Sequence, residues 1–236
     1  MSTDLTGTLV ALLRSMREAE RDVFGGLDPE VRDRPLREGD WSPKDHQAHL
    51  TAWKARQANR FADARRGEEP PEMSDDQVQS INAEQQAARS DWDWDAISLE
   101  ADEVNDRLIR EITTTDPDEL AKSDRLVQGT FGNGPYHAFE HFGWVQQADI
   151  GADDARIRAY LDETQQIVER GQLPERDAAA AAYNVACFQV LAGRLDDARP
   201  LLRRAFQLNP ELAGWAKQDT DLTALRDELD ELTGRA

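Results

Sequence analysis

Apolar residues in this chain return every three or four positions, in several long segments separated by glycine and proline. That spacing is the period of an α-helix with one buried face, and it argues for a chain that is almost all helix. Leu5, Leu9, Leu12, Met16 and Val23 form the first stripe. Ser2 or Thr3 can cap this helix, and Gly25-Gly26 stops it after Phe24. Ser42 before Pro43 starts a second helix that runs to about Arg66, with Leu50, Trp53 and Phe61 on one side. Residues 75–89 read as a short helix. Trp94, Ile97, Ala101, Val104, Leu108 and Ile112 mark a third long one. Residues 113–135 hold Pro117, Gly129, Gly132, Gly134 and Pro135 and are expected to be irregular. A fourth long helix opens at Tyr136. Four amphipathic helices of this length within residues 1–150 imply a four-helix bundle.

The texture changes around "DIGADDAR". Residues 151–236 are alanine-rich and short-looped, which predicts a second helical domain. In "AAYNVACFQVLAGRLDDARPLLRRAFQLNP", Gly193 separates two helices. Asn184, Gly193, Ala198, Ala205 and Pro210 fall on the offsets of a tetratricopeptide repeat, which this stretch resembles. Ala182 and Gln189 depart from it, because bulky residues are usual at those offsets. A single repeat needs outside packing surfaces, expected from the helices in "ARIRAYLDETQQIVERG" and "DTDLTALRDELDEL".

The formal net charge of the 236 residues is −19, which argues against nucleic acid and anionic membrane surfaces as partners. The first 24 residues lack a basic leader, and Arg14, Arg17 and Glu18 interrupt their apolar run, so no signal peptide is expected. No stretch reaches the roughly 18 to 20 apolar residues of a membrane span. Cys187 is the single cysteine, so an internal disulfide is excluded and a reducing cytoplasm is the expected compartment.

The chain has four histidines, and they fall in two helical pairs: His46 with His49, and His137 with His141. Three readings stand side by side. The rings can be core or surface histidines satisfied by their neighbours. One of them can act as a general base near neutral pH. Or they bind a metal. Residues four apart share a helix face, so His137 and His141 can offer two imidazoles to one ion. An open catalytic site usually takes three protein ligands, and the second helix would supply the third.

Three motifs in order, "WSPKDHQAHLTAW", "DDQVQSINAE" and "GPYHAFEHFGW", resemble the ClbS/DfsB branch of the DinB superfamily over residues 3–150. The resemblance implies an all-α, up-up-down-down four-helix bundle. It implies a divalent metal, zinc or nickel, held by His49, His137 and His141, with no counterpart for His46. Asp45 and Glu140 become candidate catalytic carboxylates, their alternative being solvated charges in the first turns of helices. Trp41, Trp53, Tyr136 and Trp144 either line a pocket or belong to the core. Some superfamily members are transferases or isomerases that use a low-molecular-weight thiol, and the ClbS branch includes a protein that opens a reactive cyclopropane. The expected function is therefore a hydrolase or thiol-dependent transferase that detoxifies an electrophilic small molecule. A protein that sequesters a ligand without turning it over is the alternative. A homodimer, or a protein partner held by the repeat-like domain, is compatible with either.

Overall fold

The computed structural model describes residues 5–35, 41–69, 71–171 and 173–234. The expected first caps, Ser2 and Thr3, lie outside these residues. All regular structure among the described residues is helical. The elements are α1 (Leu5–Gly25), α2 (Pro29–Arg32), α3 (Pro43–Arg65), α4 (Asp75–Ala87), α5 (Trp94–Thr114), α6 (Pro117–Lys122), α7 (Asp124–Phe131), α8 (His137–Gln147), α9 (Asp154–Arg170), α10 (Glu175–Leu191), α11 (Leu195–Leu208), α12 (Leu212–Ala216) and α13 (Leu229–Leu232). A π-type segment, Gly132–Tyr136, joins α7 to α8, and a 3-10 segment, Thr220–Glu228, precedes α13. No helix of the described residues is long and apolar enough to cross a membrane.

The chain divides into two compact units, one spanning Leu9–Tyr160 and the other Leu161–Ala236 with Met1–Thr8. In the first, α1, α3, α5 and α8 share a core. Leu9, Leu12, Leu13, Met16 and Phe24 of α1 are buried with Leu50 and Phe61 of α3. Ile97, Ala101, Leu108 and Ile112 of α5 and Phe142 and Val145 of α8 complete it. Each large apolar side chain so buried contributes roughly 1.5–3 kcal/mol. Phe24 meets Phe142 with ring centroids 5.4 Å apart, and Phe139 stacks on Tyr160 at 4.5 Å. Asp93 caps α5 by accepting from the Ala96 backbone N–H at 2.9 Å.

The expectation of irregular structure over residues 113–135 is corrected. Asp116 accepts from the N–H groups of Asp118 and Glu119, and Pro117 occupies the first turn where its missing donor costs nothing. Ser123 ends α6 and also caps α7, accepting from the Leu126 N–H at 3.3 Å. Proline and glycine here start and bend helices rather than exclude them.

In the second unit α10 and α11 pack closely because Ala182, Ala186, Ala198 and Ala205 leave no bulk between them, and all four are buried. Gly193 sits at φ +74. Its N–H donates to the Val190 carbonyl at 2.9 Å and that of Arg194 to the Gln189 carbonyl at 2.8 Å, a Schellman cap that only a residue tolerant of positive φ allows at no cost. Gln189, which departs from the repeat pattern, is fully buried and donates to Gln165 on α9 at 2.7 Å. Tyr183 donates to Asp219 at 2.7 Å, and Arg199 grips Glu228 at 2.7 and 2.9 Å, fixing the 3-10 segment.

Candidate metal centre

The site begins at the start of α3. Ser42 and Asp45 form a reciprocal capping box: the Asp45 N–H donates to Ser42 Oγ at 3.1 Å, and Asp45 Oδ2 accepts from the Ser42 N–H and hydroxyl at 2.9 and 2.6 Å. This fixes the first turn, and the next carries His46 and His49. The opposing pair is aimed by the π-type segment. Gly134 has φ −124 and ψ −106, and Pro135 follows it, so the chain kinks just before α8. A Cβ on Gly134 would lie 3.1 Å from Leu13 Cδ2, so glycine also lets the kink sit tightly on α1.

These two starts bring His49, His137 and His141 together. His49 Nε2 lies 3.1 Å from His137 Nε2, and His141 Nε2 lies 3.1 Å from the same atom. One donor nitrogen from each residue falls within 4.8 Å of the others. His46 is next to them: its Nδ1 is 2.6 Å from Nδ1 of His141, and its side chain is buried. Spacing alone does not choose between His46 and His49, and the resemblance gives His46 no counterpart; which ring it meets depends on the register of α8.

Three indoles surround the imidazoles. Trp41 lies 4.6 Å from the His49 ring and stacks nearly parallel to His141 at 6.4 Å. Trp144 meets His141 at 4.6 Å and His46 at 5.3 Å. Trp53 approaches His49 and His137 at 6.2 and 6.3 Å and is held by its N–H to Asn82 Oδ1 at 3.1 Å. Tyr136 is buried and stacks on Phe131 at 5.3 Å. Asp45 directs its carboxylate to the helix cap described above, and Glu140 lies on the exposed face of α8. Cys187 is buried in the other unit, where burial pushes its thiol well above the usual range and keeps it un-ionised.

A buried ion pair beneath the histidines went unread in the sequence. Lys54 Nζ lies 2.8 Å from both carboxylate oxygens of Glu20, and both side chains are fully buried. Gln47 donates to Glu20 at 3.1 Å, and Arg17 reaches Asp102 on α5 at 2.6 Å. The signal was present: Glu20 falls in the apolar stripe between Met16 and Val23, and Lys54 in the one between Leu50 and Phe61. Opposite charges on two core stripes point to each other.

His49, His137 and His141 are neutral at physiological pH. Burial, then the neighbouring His137 and His46, pushes His49 down to about 3. Burial and the Lys54 ammonium bring His137 down to about 4, with Glu20 opposing and His46 adding to the fall. His141 is held far below the ordinary imidazole range by burial and the three rings around it. Each of these neutral rings therefore keeps one nitrogen with a lone pair to offer an ion, and the tautomer decides which nitrogen that is.

The donor set fits a divalent ion. Zinc–nitrogen bonds of 2.0–2.1 Å in a tetrahedron place neighbouring nitrogens about 3.3 Å apart, close to the 3.1 Å that separates His137 Nε2 from each of its two neighbours, while the whole set falls within 4.8 Å. Without a cation the centre is frustrated. His137 Nε2 faces two other nitrogens and can share a proton with only one of them. His46 supplies the outer hydrogen bond that a ligating histidine normally has at its second nitrogen. His137 lacks this: its Nδ1 is buried with no hydrogen-bond partner among the described residues. Three protein ligands leave a further position for water or substrate.

Comparison of the chain with protein-family models, curated proteins and solved structures finds no match.

Proposed function

We propose that the Leu9–Tyr160 unit is a metal-dependent enzyme, a hydrolase or thiol-dependent transferase, that inactivates an electrophilic small molecule. The convergence of His49, His137 and His141 Nε2 atoms supports this more than any other observation. The motif resemblance to the ClbS/DfsB branch of the DinB superfamily points the same way, and a DinB-type arrangement of α1, α3, α5 and α8 is part of the proposal. His49, His137 and His141 would hold the ion. When bound, it supplies a Lewis acid and lowers the pKa of a water or thiol at the open position.

The chain's own residues prepare that position. With the shared proton on Nδ1 of His141 and His46 accepting it, Nε2 of His141 would be free to ligate. Trp41, Trp53 and Trp144 wall the imidazoles and limit water. No side chain among these residues is a nucleophile with a base beside it, so the attacking group comes from solution. That observation also favours a second reading, in which the pocket sequesters a ligand unchanged. The repeat-like unit, with Trp215 73% and Leu191 61% exposed, would then serve a protein partner or a second copy.

Elemental analysis of purified protein tests the first reading. About one zinc or nickel per chain is expected, and none in His137→Ala. Wild-type protein that stays metal-free after exposure to both ions sinks it. Mass analysis of candidate electrophiles after incubation separates turnover from sequestration.

A further inference from the structure

The face of α3 that presents His49 continues past the histidines. His49, Trp53, Arg56 and Arg60 follow at steps of four, three and four, so they form one row along the helix. The rise of an α-helix places Arg60 roughly 16 Å from His49. Arg56 lies over the Trp53 ring at 5.6 Å and reaches Met73 Sδ at 2.8 Å, while its Nε is buried without a hydrogen-bond partner among the described residues. Arg60 donates to the amide oxygen of Gln57 at 3.2 Å. Neither has a carboxylate partner among the described residues, although the chain carries 47 acidic side chains against 28 basic ones.

Arg125 joins them from α7. With Arg60, Ser123, Leu126, Glu68 and Glu69 it lines an open cavity of about 290 Å³. Both carboxylates belong to its lining: Glu68 is turned onto Arg66 at 2.8 Å, and Glu69, 80% exposed, pairs with Arg125 at 3.2 Å, a solvent-screened contact for which an incoming anion competes. Burial and the positive charges of Arg125 and Arg56 disfavour the Arg60 cation, which an incoming anion would relieve. Guanidinium forks match the paired oxygens of carboxylate and phosphate groups.

We propose that Arg60 and Arg125 form an oxyanion subsite, and that the small molecule processed at the histidines carries a carboxylate or phosphate that docks there. Trp53 and Arg56 would line the path between. The subsite stands on its own geometry; the spanning substrate rests on the reading of the histidines as the reactive centre.

The test titrates the full chain with inorganic phosphate, and separately with acetate, at constant ionic strength. Arginine Nε–H signals are followed by NMR and assigned with Arg60→Gln and Arg125→Gln. Saturating shifts at Arg60 and Arg125 are expected, with millimolar midpoints for phosphate that weaken roughly tenfold in either variant, the loss of one charge-assisted partner. The phosphate and acetate arms decide which oxyanion is preferred. Shifts that never saturate, or midpoints unchanged in both variants, overturn the subsite. Should either variant unfold in a circular-dichroism melt, Arg60→Lys, which keeps charge but loses the fork, is expected to weaken phosphate in its place, and an unchanged midpoint there overturns the subsite equally. A chain that binds zinc but shows no saturable phosphate refutes this inference and leaves the metal reading standing. Saturable phosphate on a chain that takes no metal keeps the subsite and removes the spanning substrate.

Discussion

At the scale of single residues, His46 is the test of how the centre is held. A 2.6 Å contact between two Nδ1 atoms requires one proton between them, and the only arrangement that leaves His141 Nε2 open to a metal puts that proton on His141. His46→Ala removes the acceptor. Zinc affinity, measured by competition with a chromophoric chelator, is then expected to fall roughly 10–100-fold. His46→Gln retains an acceptor and recovers part of the loss. Equal losses in both variants would show that His46 only fills space. The pairing of His137 with His141 was legible in the sequence because four-residue spacing survives any error in helix ends, whereas only the motif resemblance chose His49 over His46 to join them. The role of His46 was not, because it depends on the rotation of α8 about its axis, which the kink at Gly134 sets.

Between elements, the buried Lys54–Glu20 pair decides how α1 and α3 are matched. Removing one partner leaves an uncompensated charge in the core. Lys54→Met is expected to destabilise the protein by about 3–5 kcal/mol in urea unfolding, and Lys54→Met with Glu20→Leu to recover most of it. A single variant as stable as wild type would mean that water reaches the pair. The long helices were readable because each keeps an apolar stripe over several turns, and Ser42 before Pro43 marks the start of α3. The connection from α5 to α8 was hidden. Pro117 and Gly132 act there as helix starter and bend, and only the neighbouring caps at Asp116 and Ser123 distinguish that from a loop. Ser42→Ala breaks the capping box and is expected to cost about 1 kcal/mol, seen as a lower midpoint in the same urea experiment.

For the whole molecule, the histidines make stability depend on pH. In the unfolded chain they titrate near 6.5, whereas burial brings His49 and His137 down to about 3 and about 4 in the folded protein. Between those values the unfolded chain binds more protons, so stability is full above about 6.5 and falls as the pH drops toward 4. Metal-free protein is expected to melt several degrees lower at about pH 5 than at about pH 7.5, at ~2–4 °C per kcal/mol for a chain of this size. The slope should flatten in His49→Gln with His137→Gln. An unchanged slope would assign the acid sensitivity to carboxylates instead.

The ring of tryptophans has one more consequence. Trp41, Trp53 and Trp144 lie within 4.6–6.4 Å of the imidazoles, inside the range over which a paramagnetic ion extinguishes indole emission. The centre thus carries its own lamp. Adding nickel to the stripped protein should dim its ultraviolet fluorescence in step with occupancy, so that loading can be followed without any label.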